Sequence, residues 1–132
     1  MASTRKEPLI LVIDVSLAIL NLYHEVLEEQ GYDVELSNYA FESLSMVERL
    51  QPDLIILDFD REGQREEWQL LKMLKLHPPT ASIPIILSMA PLLLHPHWEE
   101  HFQHNNIRLL FSPFGKEDLL AVVRQVLGAT DA

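Results

Sequence analysis

Two aspartates each close an apolar run. Asp14 follows Leu9-Ile10-Leu11-Val12-Ile13, and Asp58 follows Leu54-Ile55-Ile56-Leu57. Paired carboxylates of this kind can hold a divalent cation or serve metal-assisted hydrolysis. A second constellation lies further along, where His95, His97, His101 and His104 are four of the chain's six histidines. The last three have i, i+4, i+7 spacing, and imidazoles on one helix face can bind zinc or copper, a closed site taking about four ligands. A polar helix face beside Glu99 and Glu100 accounts for the same pattern, and a pH-sensitive surface is a milder reading. With no cysteine, thiol catalysis and disulfides are excluded. The four glycines are scattered and form no phosphate-cradling loop. Nor does any Ser/His/Asp arrangement emerge, so the chain is not read as an enzyme.

The elements that must position the two aspartates follow from periodicity. Leu9 to Ile13 is a short β-rich run, expected as a strand buried on both faces. Ser16 is placed to cap a helix whose apolar positions are Leu17, Ile19, Leu20, Tyr23, Val26 and Leu27, and Gly31 stops it. Tyr32 to Ser37 alternates apolar and polar residues, as a strand nearer the sheet edge does. Phe41, Leu44, Val47 and Leu50 mark a second helix ended by Pro52. Leu54 to Leu57 is the third strand, with Asp58 at its carboxyl end. A polar loop from Phe59 to Glu66 leads to a third helix carrying Trp68, Leu71 and Leu74, and Pro78-Pro79 ends it.

Ile83 to Leu87 gives a fourth strand. From Met89 to Asn106 the pattern is hardest to read, with Pro91 and Pro96 permitting at most a short helix after Pro96. Ile107 to Phe111 is the fifth strand. Lys116 to Leu127 is the last helix, with Leu119, Leu120, Val122, Val123, Val126 and Leu127 as its buried stripe. Five strands alternating with five helices predict an α/β flavodoxin-like, doubly wound parallel sheet of order 2-1-3-4-5. In such sheets functional groups gather beyond the carboxyl ends of the strands, where both aspartates fall.

At 132 residues the chain is expected to be a single domain, 1–132 with its core at 9–127, leaving no room for an output domain. Ten basic residues against twenty acidic ones give a net charge of −10, which repels phosphate backbones and argues against nucleic-acid binding. The segment from Met1 to Pro8 lacks the apolar stretch of a signal peptide, and no apolar run approaches the roughly 20 residues needed to span a bilayer. The expected location is therefore cytoplasmic, away from membranes.

From Leu9 to Leu127 the chain resembles the receiver domain of bacterial response regulators. The matching pieces are LILVID (9–14), GYDVELSNYAFESL (31–44), PDLIILD (52–58), IPIILSMA (83–90) and SPF (112–114), in the family's order and spacing. The resemblance implies a two-component phosphorelay, with phosphoryl transfer from a kinase histidine to Asp58 through an acyl phosphate. The incoming group is anionic and so is the site, a conflict that a receiver answers with magnesium and a lysine.

Residue by residue, Asp58 matches the phosphoacceptor and Asp14 the first of the paired acids. The other positions depart. Val15 takes the place of the second acid, Ser112 that of the lysine, Met89 that of the hydroxyl residue, and Leu109 that of the switch aromatic. Ser88 is adjacent to Met89, but alternation along a strand is expected to turn it away. Asp60 can enter the same pocket and partly compensate, so the candidate metal ligands are Asp14, Asp58 and Asp60, with weak magnesium binding expected. The loop after Asp58 reads DREGQREEW where the family pattern has a proline and a later glycine.

Pro91-Leu92-Leu93-Leu94, with Trp98 and Phe102 beyond, is unusually apolar for this part of a receiver. In the family the fourth helix, fifth strand and last helix form a surface that commonly dimerises. Leu93, Trp98, Phe102 and Leu109 are therefore the interface candidates, for a homodimer or another signalling protein such as a histidine kinase. The run Arg61 to Glu67 is a solvated loop. The resulting expectation is a receiver-like signalling domain with a degenerate phosphorylation site that works by protein contact. The alternative is a working receiver phosphorylated on Asp58 with magnesium.

Overall fold

The computed structural model describes residues 7–14, 16–38, 40–59, 64–91, 101–102 and 105–128, with 40–43 and 64–67 as backbone. Five parallel strands, β1 (Leu9–Ile13), β2 (Asp33–Ser37), β3 (Leu54–Asp58), β4 (Ile85–Met89) and β5 (Ile107–Phe111), form one sheet. Their order is β2-β1-β3-β4-β5, as the alternating pattern predicts. Helices α1 (Leu17–Glu29), α2 (Ala40–Leu50), α3 (Gln64–Leu76) and α4 (Lys116–Leu127) cover its faces. The alternating pattern predicts a fifth helix, at most a short one after Pro96. Of that stretch His101 and Phe102 are helical, and the expectation otherwise falls outside the described residues.

Alternation along the inner strands sorts their side chains into two cores. Leu11, Ile13, Ile55, Leu57, Ile85, Leu87 and Met89 pack with Val47 of α2 and Leu70, Leu71 and Leu74 of α3. On the other face, Ile10, Val12, Leu54, Ile56, Ile86 and Leu110 pack with Leu20, Tyr23 and Leu27 of α1 and Leu119, Leu120 and Val123 of α4. Because β1, β3 and β4 are covered on both sides, they read as continuous apolar runs. The edge strand β2 instead alternates, exposing Asp33 and Glu35.

Local chemistry sets the ends of these elements. Ser16 caps α1, its Oγ accepting from the Ile19 N–H at 3.3 Å. Gly31, at φ 92°, turns the chain out of α1 in a conformation that favours glycine. Thr80, fully buried, donates its hydroxyl to the Leu74 carbonyl at 2.7 Å and closes the end of α3.

Several expected boundaries and exposures shift. The fourth strand runs Ile85–Met89 rather than Ile83 to Leu87. The Ile83 N–H is spent in a turn to the Thr80 carbonyl at 3.1 Å, and Pro84 has no N–H to offer a ladder. Helix α3 begins at Gln64, inside the expected loop, because Gln, Arg and Glu are good helix formers. Leu17, one of the apolar positions with helical spacing in α1, is exposed at the first residue of the helix.

Phe102 departs from its expected role. Proposed as an interface residue, it is 2% exposed and belongs to the α2–α3 side core. Its ring stacks on Trp68 at 5.8 Å, and Trp68 meets Phe59 edge-on at 4.9 Å, so this aromatic is held inside by two others.

Candidate functional site

Parity places the two aspartates. Asp14 and Asp58 continue the even-numbered series Ile10, Val12 and Leu54, Ile56, so both belong to the face covered by α1 and α4. Asp14 is almost wholly buried. Its N–H donates to the Ser37 carbonyl at 3.0 Å, and its Oδ1 accepts from the Ser16 N–H at 3.2 Å, tying the end of β1 to the start of α1. Asp58 is half-buried at the end of β3, and the following N–H, that of Phe59, donates to the Ser88 carbonyl at 2.7 Å. Both carboxylates line one cavity of about 560 Å³, which runs from the strand ends between α1 and α4.

The hydroxyl beside Asp58 comes from Ser88. Asp58 and Ser88 are register partners across β3 and β4, and partners in a parallel pair point to the same face. Ser88 therefore lines the cavity, against the expectation that it turns away. Met89, the next residue, is fully buried in the opposite core. The same alternation argument gives this result once strand pairing fixes its phase.

Ser112 lines the cavity too, just after β5, with its N–H donating to the Met89 carbonyl at 2.9 Å and a cis peptide to Pro113. Leu109 is half-buried against the α2–α3 side core. Val15, Asp60, Leu93 and Trp98 lie outside the described residues, as do His95, His97 and His104. His101 is exposed, its carbonyl accepting from Asn105 Nδ2 at 2.8 Å.

Tyr23 escaped the sequence reading as a site residue. It sits on α1 with its ring in the core and lines the same cavity. Burial pushes its phenol far above the usual tyrosine range, and the negative charges of Asp58 and Asp14 push the same way. The nearby Ser88 hydroxyl opposes them, although the two groups do not meet hydrogen-bond geometry. The available signal was a tyrosine within an apolar stripe, since a buried phenol calls for a polar partner.

The family's magnesium is only partly provided for. Asp14 and Asp58 share the cavity, but among the described residues no group of three His, Cys, Asp or Glu side chains could hold a metal ion.

No family model matches the chain. It is 32% identical over 124 residues to the DNA-binding dual master transcriptional regulator RpaA of Synechocystis, covering 94% of this chain and 51% of that protein. Among solved structures, it resembles the N-terminal domain of a response regulator receiver protein from Methanoculleus marisnigri. That match has 26% identity and TM-score 0.71, covering 92% of this chain and 97% of the other. The chain is a response-regulator receiver domain. The chemotaxis protein CheY4 of Vibrio cholerae shares the receiver fold at TM-score 0.77 and 21% identity, covering 91% of this chain and 98% of that one. The receiver spans about half the length of RpaA. Among its described residues no helix is long and apolar enough to cross a membrane.

Proposed function

We propose that this receiver has a degenerate phosphorylation site and acts by protein–protein contact within a two-component pathway, with a histidine kinase or another signalling protein as partner. The observation that carries the reading is the lining around Asp58. Lys116 is the one basic residue among the described residues lining the cavity, and its Nζ is engaged by Glu29 at 3.3 Å. Ser112 stands where the family pattern has a lysine, and a hydroxyl cannot neutralise a phosphoryl oxygen as an ammonium does. Val15, by its residue type, removes a further metal ligand. A homodimer through the surface of the fourth helix, fifth strand and last helix is compatible with this role. The net charge of −10 argues against direct contact with nucleic acid.

One observation favours a working receiver phosphorylated on Asp58: the Ser88 hydroxyl shares its cavity and supplies the group that position 89 lacks. Intact mass after incubation with a small-molecule phosphodonor and magnesium separates the two. The degenerate reading expects no adduct on folded wild type. An adduct on wild type that is absent from Asp58→Asn would overturn it.

A further inference from the structure

The cavity holds more than an acidic site requires. Beyond Asp58 it continues between α1 and α4, walled by Ile19, Leu22, Val26, Phe114 and Leu119. Its volume of about 560 Å³ lies within the range of small-molecule sites, roughly 300–1,000 Å³. At the apolar wall Leu22 is 58% exposed, leaving a large aliphatic side chain in contact with solvent.

Two further groups point to a ligand. The hydroxyls of Tyr23 and Ser88 are 5% and 0% exposed by residue, line the cavity, and have no hydrogen-bond partner among the described residues. The two hydroxyls lie near each other without meeting in hydrogen-bond geometry, and a buried hydroxyl left unmade costs about 1–3 kcal/mol, so the pair favours an occupant with a polar head. The two carboxylates decide the sign of that head. Lys116 stands in the same lining but is exposed and engaged with Glu29, which leaves the carboxylate end the attractive one for a cation.

We infer that this cavity is a binding site for a small amphipathic amine, its ammonium seated at Asp58 and Asp14 between the Ser88 and Tyr23 hydroxyls and its apolar body lying between α1 and α4. The inference rests on the degenerate reading, because a site loaded with magnesium or phosphate would not leave Asp58 available to an ammonium.

Calorimetric titration of the whole chain with tryptamine, phenethylamine and octylamine tests it, with indole-3-propionate as a probe of similar body and opposite charge. At least one amine is expected to bind with submillimolar affinity, and indole-3-propionate not at all. Asp58→Asn should weaken the amine tenfold or more, as loss of a charge-assisted hydrogen bond does. Tyr23→Phe, which keeps the packing, should weaken it severalfold and serves even where Asp58→Asn folds poorly. Absence of binding by all three amines, equal binding of the indole acid, or affinity unchanged in both variants would overturn the site. A phosphoryl adduct seen by mass would overturn the degenerate reading and with it the premise of this site, whereas failure of all three amines without any adduct would overturn the site alone.

Discussion

Asp58 and Ser88 are direct partners across β3 and β4, and their side chains enter one cavity, while Met89 next door is sealed in the opposite core. The two neighbours should therefore respond oppositely to truncation. Ser88→Ala removes a buried hydroxyl that makes no hydrogen bond among the described residues, so it should leave stability unchanged or raise it, by up to about 3 kcal/mol. Met89→Ala empties a packed site and should cost about 2–5 kcal/mol. Urea unfolding of both variants measures the contrast. Equal costs would show that Ser88 is a structural hydrogen-bonding residue instead.

The fold was legible because each buried strand is an apolar run and the first three helices carry their own punctuation: Ser16 and Gly31 for α1, Pro52 for α2 and Pro78 for α3. Asp14 and Asp58 were legible for the same reason, as the first polar residues after such runs. What periodicity lacks is phase. Ser88-Met89 ends a fully buried run, where both faces are apolar and nothing in the sequence says which residue turns toward Asp58. Only the pairing of β4 with β3 settles it. Tyr23 was hidden differently, since its ring obeys the α1 stripe and only its hydroxyl belongs to the site.

Phe102 offers a second test, because its sequence neighbourhood suggests a surface and its packing says otherwise. The ring is stacked on Trp68 inside the core, so Phe102→Ala should destabilise by about 3–5 kcal/mol. Unfolding curves and light scattering, taken together, distinguish the roles. A variant of native stability with a changed oligomeric state would restore the interface reading.

Gly31 isolates a purely conformational effect. A Cβ built there meets nothing within 4 Å, yet φ is 92°. Gly31→Ala should therefore cost about 1–2 kcal/mol through backbone strain alone, without lost packing. Thermal unfolding measures it, and a variant as stable as wild type would mean that the turn relaxes to a negative φ at no cost.

Lys75 ties the end of α3 to the turn before β4, its Nζ donating to the carbonyls of Ala81 at 3.1 Å and Ile83 at 2.8 Å. Burial lowers its pKa to about 8, against about 10.4 for an unfolded lysine. Below pH 8 both states carry the proton and the fold bears the full desolvation of the ammonium. Between about 8 and 10.4 the folded state sheds that proton while the unfolded chain keeps it. The unfolded state then binds more protons, so this residue's contribution to stability rises with pH across that window. Lys75→Met cannot titrate, which makes it the reference. Urea unfolding at pH 7, 8, 9 and 10 should show the stability of wild type relative to Lys75→Met climbing through the last two steps. A difference that is flat or falls would mean that the two carbonyls hold the ammonium well enough to offset its burial.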